Sequence, residues 1–191
     1  MKTNYEPNRV LWGVFLLLGL LIISNPATGQ VVCPSPSTIP PTAAWTDVAV
    51  PLTIAISPTC TLLVSYCWRI VPTNHYQTYV KSIQTVGPGC GGINVFAYMV
   101  NINLGLLKTY PGDPINCNEN PLHRMTHVTS SCWKNLVGGG YIPCGEGSCL
   151  ESYEICYING VWVRQGATSY TTSGTVNCNT SEGCTEVTCG S

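Results

Sequence analysis

Apolar and polar residues alternate through much of this chain with a period of two, the pattern of strands buried on one face. The clearest stretch is 61–70, where Leu62, Val64, Tyr66, Trp68 and Ile70 share one face and Thr61, Ser65 and Arg69 the other. Pro72-Thr73-Asn74 supplies a turn, and residues 76–86 (YQTYVKSIQTV) return as the antiparallel partner. Upstream, residues 45–56 (WTDVAVPLTIAI) also read as strand, with Pro51 marking an edge or a break. A glycine-rich corner at 87–92 leads into a further predicted strand at 93–102. In the second half, residues 153–158 and 161–164 flank Asn159-Gly160. Asn-Gly accepts the positive φ angles of a type I′ turn, whose twist suits a hairpin.

One short helix is predicted at 122–128, with Asn120 as its cap and Pro121 at the first helical position. No longer stretch keeps a 3.6-residue period. The predicted fold class is therefore mainly β: a small disulfide-rich antiparallel sheet or sandwich built from hairpins, with two related lobes as one possible arrangement.

The first 29 residues stand outside this pattern. Lys2 and Arg9 precede an apolar run at 11–23 (LWGVFLLLGLLII), and Ala27-Thr28-Gly29 places small residues at the −3 and −1 positions. This is the form of a secretory signal peptide, with cleavage before Gln30. The run is shorter than the roughly 20 apolar residues of a membrane span. Removing it leaves six bases and eight acids, a net charge near −2. With no basic run to neutralise phosphates, nucleic acid is not an expected partner. With no basic amphipathic stretch, neither is a membrane once the signal is gone.

All 12 cysteines follow the signal: Cys33, Cys60, Cys67, Cys90, Cys117, Cys132, Cys144, Cys149, Cys156, Cys178, Cys184 and Cys189. An even count in an exported chain reads as a disulfide framework. Zinc sites favour paired cysteines two to four residues apart with a matching second pair. Here the closest spacings are C-x4-C, at Cys144/Cys149 and Cys184/Cys189, and no C-x2-C occurs. Connectivity is not readable from spacing, since six bridges allow roughly ten thousand pairings. One bridge is favoured by hairpin geometry. A turn centred near Thr73 sets residue 60 opposite residue 86, and the glycines beyond let the chain bend Cys90 back toward Cys60.

Cys60, Cys67 and Cys90 lie 7 and 23 residues apart, and Cys149, Cys156 and Cys178 lie 7 and 22 apart. Each middle cysteine precedes an aromatic residue (Trp68, Tyr157), so a duplicated hairpin module would explain the match. A cut between Cys90 and Cys117 leaves four cysteines before it and eight after, so each part can close on itself. The expected organisation is a signal peptide at 1–29, an N-terminal β lobe at 30–115 and a C-terminal disulfide-rich hairpin lobe at 116–191. The lead-in at 33–44 is proline-rich. The tail beyond Tyr170 is rich in Thr, Ser, Asn and Gly and depends on Cys178, Cys184 and Cys189 for its order.

Candidate chemistry is sparse. His123 and His127, four residues apart on the predicted helix, would share a face in the manner of a zinc-binding pair, with His75, Glu119 or Asp113 as a third ligand. Arg124 occupies the place where the metalloprotease motif has its glutamate. Two solvated histidines on a polar helix are the plainer reading. Gly145-Glu146-Gly147-Ser148-Cys149 lacks the G-x-S-x-G frame of a nucleophile elbow. Glu151 and Glu154, at an odd offset on a strand, point to opposite faces and cannot form a catalytic pair. No residue is assigned a catalytic role, and no cofactor is implied.

Tyr and Trp dominate the aromatic residues on predicted strands. Tyr76, Tyr153 and Trp162 are the candidates for an exposed binding surface, including stacking on sugars. Asn179-Thr180-Ser181 is an N-glycosylation sequon. Taken together, the sequence points to a secreted, non-enzymatic structural, adhesive or ligand-binding protein. Its expected partners are an extracellular protein or carbohydrate, or further copies joined at sheet edges. The alternatives are a secreted hydrolase, metal-dependent through His123 and His127 or carboxylate-dependent, and a cystine-loop inhibitor or effector.

The framework is directly measurable. Mass spectrometry of the exported protein should show a chain beginning at Gln30 and lighter by about 12 hydrogens than its reduced form. Substantial alkylation without a reductant would refute it.

Overall fold

The computed structural model describes residues 32–34, 43–72 and 74–190. The signal segment and most of the proline-rich lead-in lie outside the described residues. The strands are β1 (Thr46–Asp47), β2 (Leu52–Ser57), β3 (Cys60–Val71), β4 (His75–Val86), β5 (His123–Ser130), β6 (Cys132–Leu136), β7 (Gly140–Pro143), β8 (Glu146–Ile158), β9 (Val161–Asn177) and β10 (Cys184–Glu186). All ten join one mixed sheet.

The hairpin of β3 and β4 follows the alternation in the sequence. Leu62, Val64 and Tyr66 are buried, and the ladder runs from Thr61↔Val86 to Val71↔His75. It shifts by one residue where Ser65 pairs with Ser82 and Tyr66 with Val80, which leaves Lys81 as the extra residue of a bulge. Burial on β4 accordingly changes phase, from Tyr76, Thr78 and Val80 to Ile83. Lys81, drawn inward, is ion-paired with Asp47 of β1.

Strand β4 is where the sheet forks. Its free edge takes β5 in parallel along His75–Tyr79 and β7 antiparallel at Ile83 and Gln84. One arm continues through β5 to β8 and β9, and the other through β7 to β6 and β10. The hairpin at Asn159-Gly160 forms as predicted, with φ of 52° and 84° and Ile158 opposite Val161. Its strands extend far beyond the predicted stretch, back to Glu146 and on to Asn177.

Two predicted elements are corrected. Residues 93–102 are not a strand: a 3-10 turn at Val95–Tyr98 runs into helix α1, Met99–Leu107. Asn94 starts it by accepting a hydrogen bond from Phe96 N at 3.1 Å. The stretch is apolar almost throughout, so both periods fit it, and burial selects Ile102, Asn103, Leu106 and Leu107, a helical stripe. Gly105 lets α1 lie against β2, because a Cβ there would come within 2.9 Å of Leu52 Cδ2.

The helix predicted at 122–128 is instead β5, flanked by β4 on one side and β8 on the other. Asn120 and Pro121, read as cap and first turn, are joined by a cis peptide bond. The stretch carries Thr126, Val128 and Thr129, which suit a strand, and ladders on both edges outweigh a weak two-turn helix.

Every cysteine is paired: Cys33–Cys67, Cys60–Cys90, Cys117–Cys156, Cys132–Cys178, Cys144–Cys184 and Cys149–Cys189. The bridge favoured from hairpin geometry, Cys60–Cys90, is present. Gly87 makes the bend possible, since its φ is 115° and a Cβ would lie 2.3 Å from Thr59 O. The two similarly spaced triplets are bridged differently: Cys60 and Cys90 pair with each other, whereas Cys149 and Cys178 pair elsewhere. Two bridges lie within residues 33–90 and four within 117–189, while the sheet runs across from β4 to β5. Among the described residues, no helix is long and apolar enough to cross a membrane.

The tail is held mainly by these bonds. From Tyr170 to Gly190, Cys184 is the one buried residue among those described, yet three bridges anchor the segment. A native disulfide in a small domain contributes about 2–5 kcal/mol, so six together match or exceed the usual net stability of about 5–15 kcal/mol. Full reduction is expected to unfold the protein at ordinary temperature, beginning with residues 170–191. Circular dichroism and hydrogen exchange with a reductant check this, and a β signal retained after complete reduction would contradict it.

Candidate functional site

Where α1 crosses the sheet, Thr78 of β4, His127 of β5 and Glu151 and Tyr153 of β8 come together beneath it. His127 and Glu151 are register partners, so their side chains share one face. His127 is fully buried, with Nδ1 2.8 Å from Thr78 Oγ1 and Nε2 2.6 Å from Tyr153 OH. Burial drives its pKa down to about 3, so the ring is neutral, with one nitrogen donating and the other accepting.

Glu151, 7% exposed, accepts from Asn103 Nδ2 of α1 at 2.5 Å and lies 3.7 Å from Arg164 Nη1 of β9. Burial raises its pKa, and the Asn103 hydrogen bond and the Arg164 charge act against that rise. Arg164 also sits over the Tyr153 ring, 5.6 Å from its centroid. Asn103 Oδ1 is buried with no hydrogen-bond partner among the described residues. Asn103 and Glu151 line a cavity of about 100 Å3 whose walls include Phe96, Trp133 and Tyr170.

The two histidines singled out in the sequence share a strand face but serve different neighbourhoods. His123 Nδ1 lies 2.5 Å from Tyr110 OH, and its ring stacks on Trp162 at 5.8 Å. Burial lowers its pKa, opposed by Asp113 and Glu119. Neither nitrogen of His127 is open to an ion, and the two rings do not converge on a common ligand set. His75, a candidate third ligand, belongs to the opposite face, with Nε2 2.8 Å from Thr126 Oγ1. Glu119 accepts from Asn116 N at 3.1 Å. Among the described residues, the one convergence of three metal-type ligands is Cys33, Asp47 and Cys67, and its two sulfurs form a disulfide.

Of the aromatic residues read as candidates for exposure, Tyr76 and Tyr153 are corrected to core, whereas Trp162 is partly buried. Tyr76 is 1% and Tyr153 4% exposed, and Trp162 is half-buried against Tyr110 at 4.6 Å. They close the interior of a thin sheet, where their ring area counts most. Glu151 and Glu154 do point apart, one buried and one exposed. Ser148, in the glycine-rich stretch, is part of β8 beside the bridged Cys149. Asn103 and Arg164 escaped the sequence reading. The signal for Asn103 was a polar residue within the apolar run Met99–Leu107, at a position on the buried stripe of a helix.

The buried histidines predict acid sensitivity. His75 is lowered to about 4, by burial first and then by Arg124 and Arg69. Unfolded, both histidines titrate near about 6.5, so below that pH the unfolded chain takes up protons that the fold refuses. Their contribution to stability is complete above about pH 6.5 and is lost as pH falls toward about 4 for His75 and about 3 for His127. Glu151, raised on folding, works the other way and softens the loss. Denaturation midpoints should be level from pH 7.5 to about 6.5 and fall from there to pH 4, and His127→Gln should flatten that slope; an unchanged slope in that variant would exclude the buried ring as the cause.

Set against known proteins, the chain matches no family model, no curated protein and no solved structure.

Proposed function

We propose that the chain is an exported, non-enzymatic structural or adhesive protein that assembles copy to copy through the outer edge of β9. The observation that carries this reading is the edge itself. β9 ends one arm of the sheet, hydrogen-bonded to β8 on one side with no further strand beyond it among the described residues. Two bulges, beside Gly166 and Gly174 with φ of 70° and 77°, leave Ser169–Ser173 as the regular central stretch. These five residues (SYTTS) are exposed and include neither a charge nor a proline, the usual devices that discourage edge pairing.

Paired antiparallel with its own copy about Thr171, the stretch sets Ser169 against Ser173, Tyr170 against Thr172 and Thr171 against itself. Hydroxyl pairs of this kind favour cross-strand contact, and the two-fold arrangement meets no like charges. The disulfides support an oxidising extracellular setting, and the sequence-read signal peptide supplies the route.

A pocket joining His123, His127 and a carboxylate would favour the hydrolase alternative in its metal-dependent form. The cavity holds His127 and Glu151 without His123, and both nitrogens of His127 are engaged.

Light scattering over a concentration series should show reversible self-association of the oxidised protein. Thr171→Lys, which sets two like charges opposite each other, should weaken association about fivefold, and mixing it with Thr171→Glu should restore association. A protein that stays monomeric at all concentrations, or a Thr171→Lys variant that associates like the parent, would overturn the proposal.

A further inference from the structure

The cavity beneath α1 presents buried acceptors without enough donors. Asn103 is 4% exposed, and its Nδ2 is directed at Glu151 Oε2, which leaves Oδ1 unbonded in the interior. A buried acceptor left unmet is costly, and native structures rarely keep one without a reason. The neighbouring His127 and Ser130 do not relieve it. His127 is held by Thr78 and Tyr153, and Ser130 Oγ donates to Cys132 O at 2.7 Å. No Lys or Arg lines the cavity, and Arg164 approaches Glu151 only to 3.7 Å. Beside Thr129 and Thr188, the wall offers a carboxylate and an amide oxygen amid the aromatic rings of Phe96, Trp133 and Tyr170.

We propose that this cavity binds a small primary alkylammonium group, its N–H donors shared between Asn103 Oδ1 and the Glu151 carboxylate and its carbon chain set against Phe96, Trp133 and Tyr170. An ammonium supplies three donors, and the site holds three acceptor oxygens. Its charge adds to the partial compensation that Arg164 gives the desolvated carboxylate, and aromatic faces attract cations. Size limits the chain. A cavity of about 150 Å3 accepts benzene, so one of about 100 Å3 accepts roughly four heavy atoms, as in n-propylammonium. Exposed Val100 and Tyr170, 50% and 46% accessible, border the cavity, so the group can enter as a free amine or as the end of a partner's lysine side chain.

The test is a titration of the oxidised, 15N-labelled protein followed by NMR. n-Propylammonium chloride should give saturable shifts of the Asn103 side-chain amide and the Trp133 indole N–H, with n-propanol and tetramethylammonium much weaker. The amide of Nα-acetyl-lysine distinguishes the sources: shifts like those of propylammonium support a partner's lysine, and their absence supports a free amine. Glu151→Gln, nearly isosteric and still able to accept from Asn103, should weaken propylammonium binding roughly ten- to a hundredfold. Comparing propylammonium with propanol on the parent protein decides the matter even where the variant fails to fold. Equal binding of propanol, or no saturable shift with any probe, as for a cavity filled by water alone, would overturn the proposal.

Discussion

The parallel ladder between β4 and β5 is the contact on which the rest of this structure depends. No disulfide links residues up to Cys90 with those from Cys117 onward, so this ladder carries much of the connection between the two crosslinked halves. It begins where Arg124 N donates to Asn74 O at 2.9 Å and runs to Tyr79↔Val128. Side chains bond across it on both faces, Thr78 with His127 on one and His75 with Thr126 on the other. Parallel strands cannot be joined by a tight turn and need a long crossover. Here the crossover contains α1, and α1 brings Asn103 down onto Glu151. The cavity is thus a consequence of the topology.

The interior between these strands is unusually polar for so small a core. Thr78, His127 and Glu151 are buried beside Val80, Met125 and Ile155. Such groups are tolerated where hydrogen bonds replace those lost to water. His127 meets that condition at both nitrogens. Asn103 Oδ1 is the exception among the described residues.

The outer strands are stabilised by different means. β9 is exposed along most of its length, and hydrophobic burial alone would hold it poorly. Bridges from Cys149 and Cys132 to Cys189 and Cys178 fasten the chain that follows it back onto β8 and β6. Tyr170 belongs both to the exposed central stretch of β9 and to the wall of the cavity. The edge and the cavity therefore share a residue, and a strand laid along β9 would lie close to the cavity mouth.

Much of the local structure was legible in the sequence because it rests on near neighbours. The alternation from Leu62 to Tyr66, the turn at Asn159-Gly160, the Cys60–Cys90 bridge and the opposed directions of Glu151 and Glu154 all follow from period, turn chemistry and short-range geometry. Residues 93–107 were ambiguous, since a nearly continuous apolar run fits a strand and a helix alike. Residues 122–130 misled for the opposite reason: weak helix signals were overruled by two strand partners distant in the chain. The site was the least legible part. Asn103, His127, Glu151 and Arg164 come from four elements, and no local pattern states that they meet. Sequence by itself determined the strands of the β3–β4 hairpin, the turn at Asn159-Gly160 and the pairing capacity of the cysteines, because those depend on residues a few positions apart. Only the tertiary structure decided which strand lies beside which, and therefore which polar side chains are buried together, because that choice is made by packing over the whole sheet.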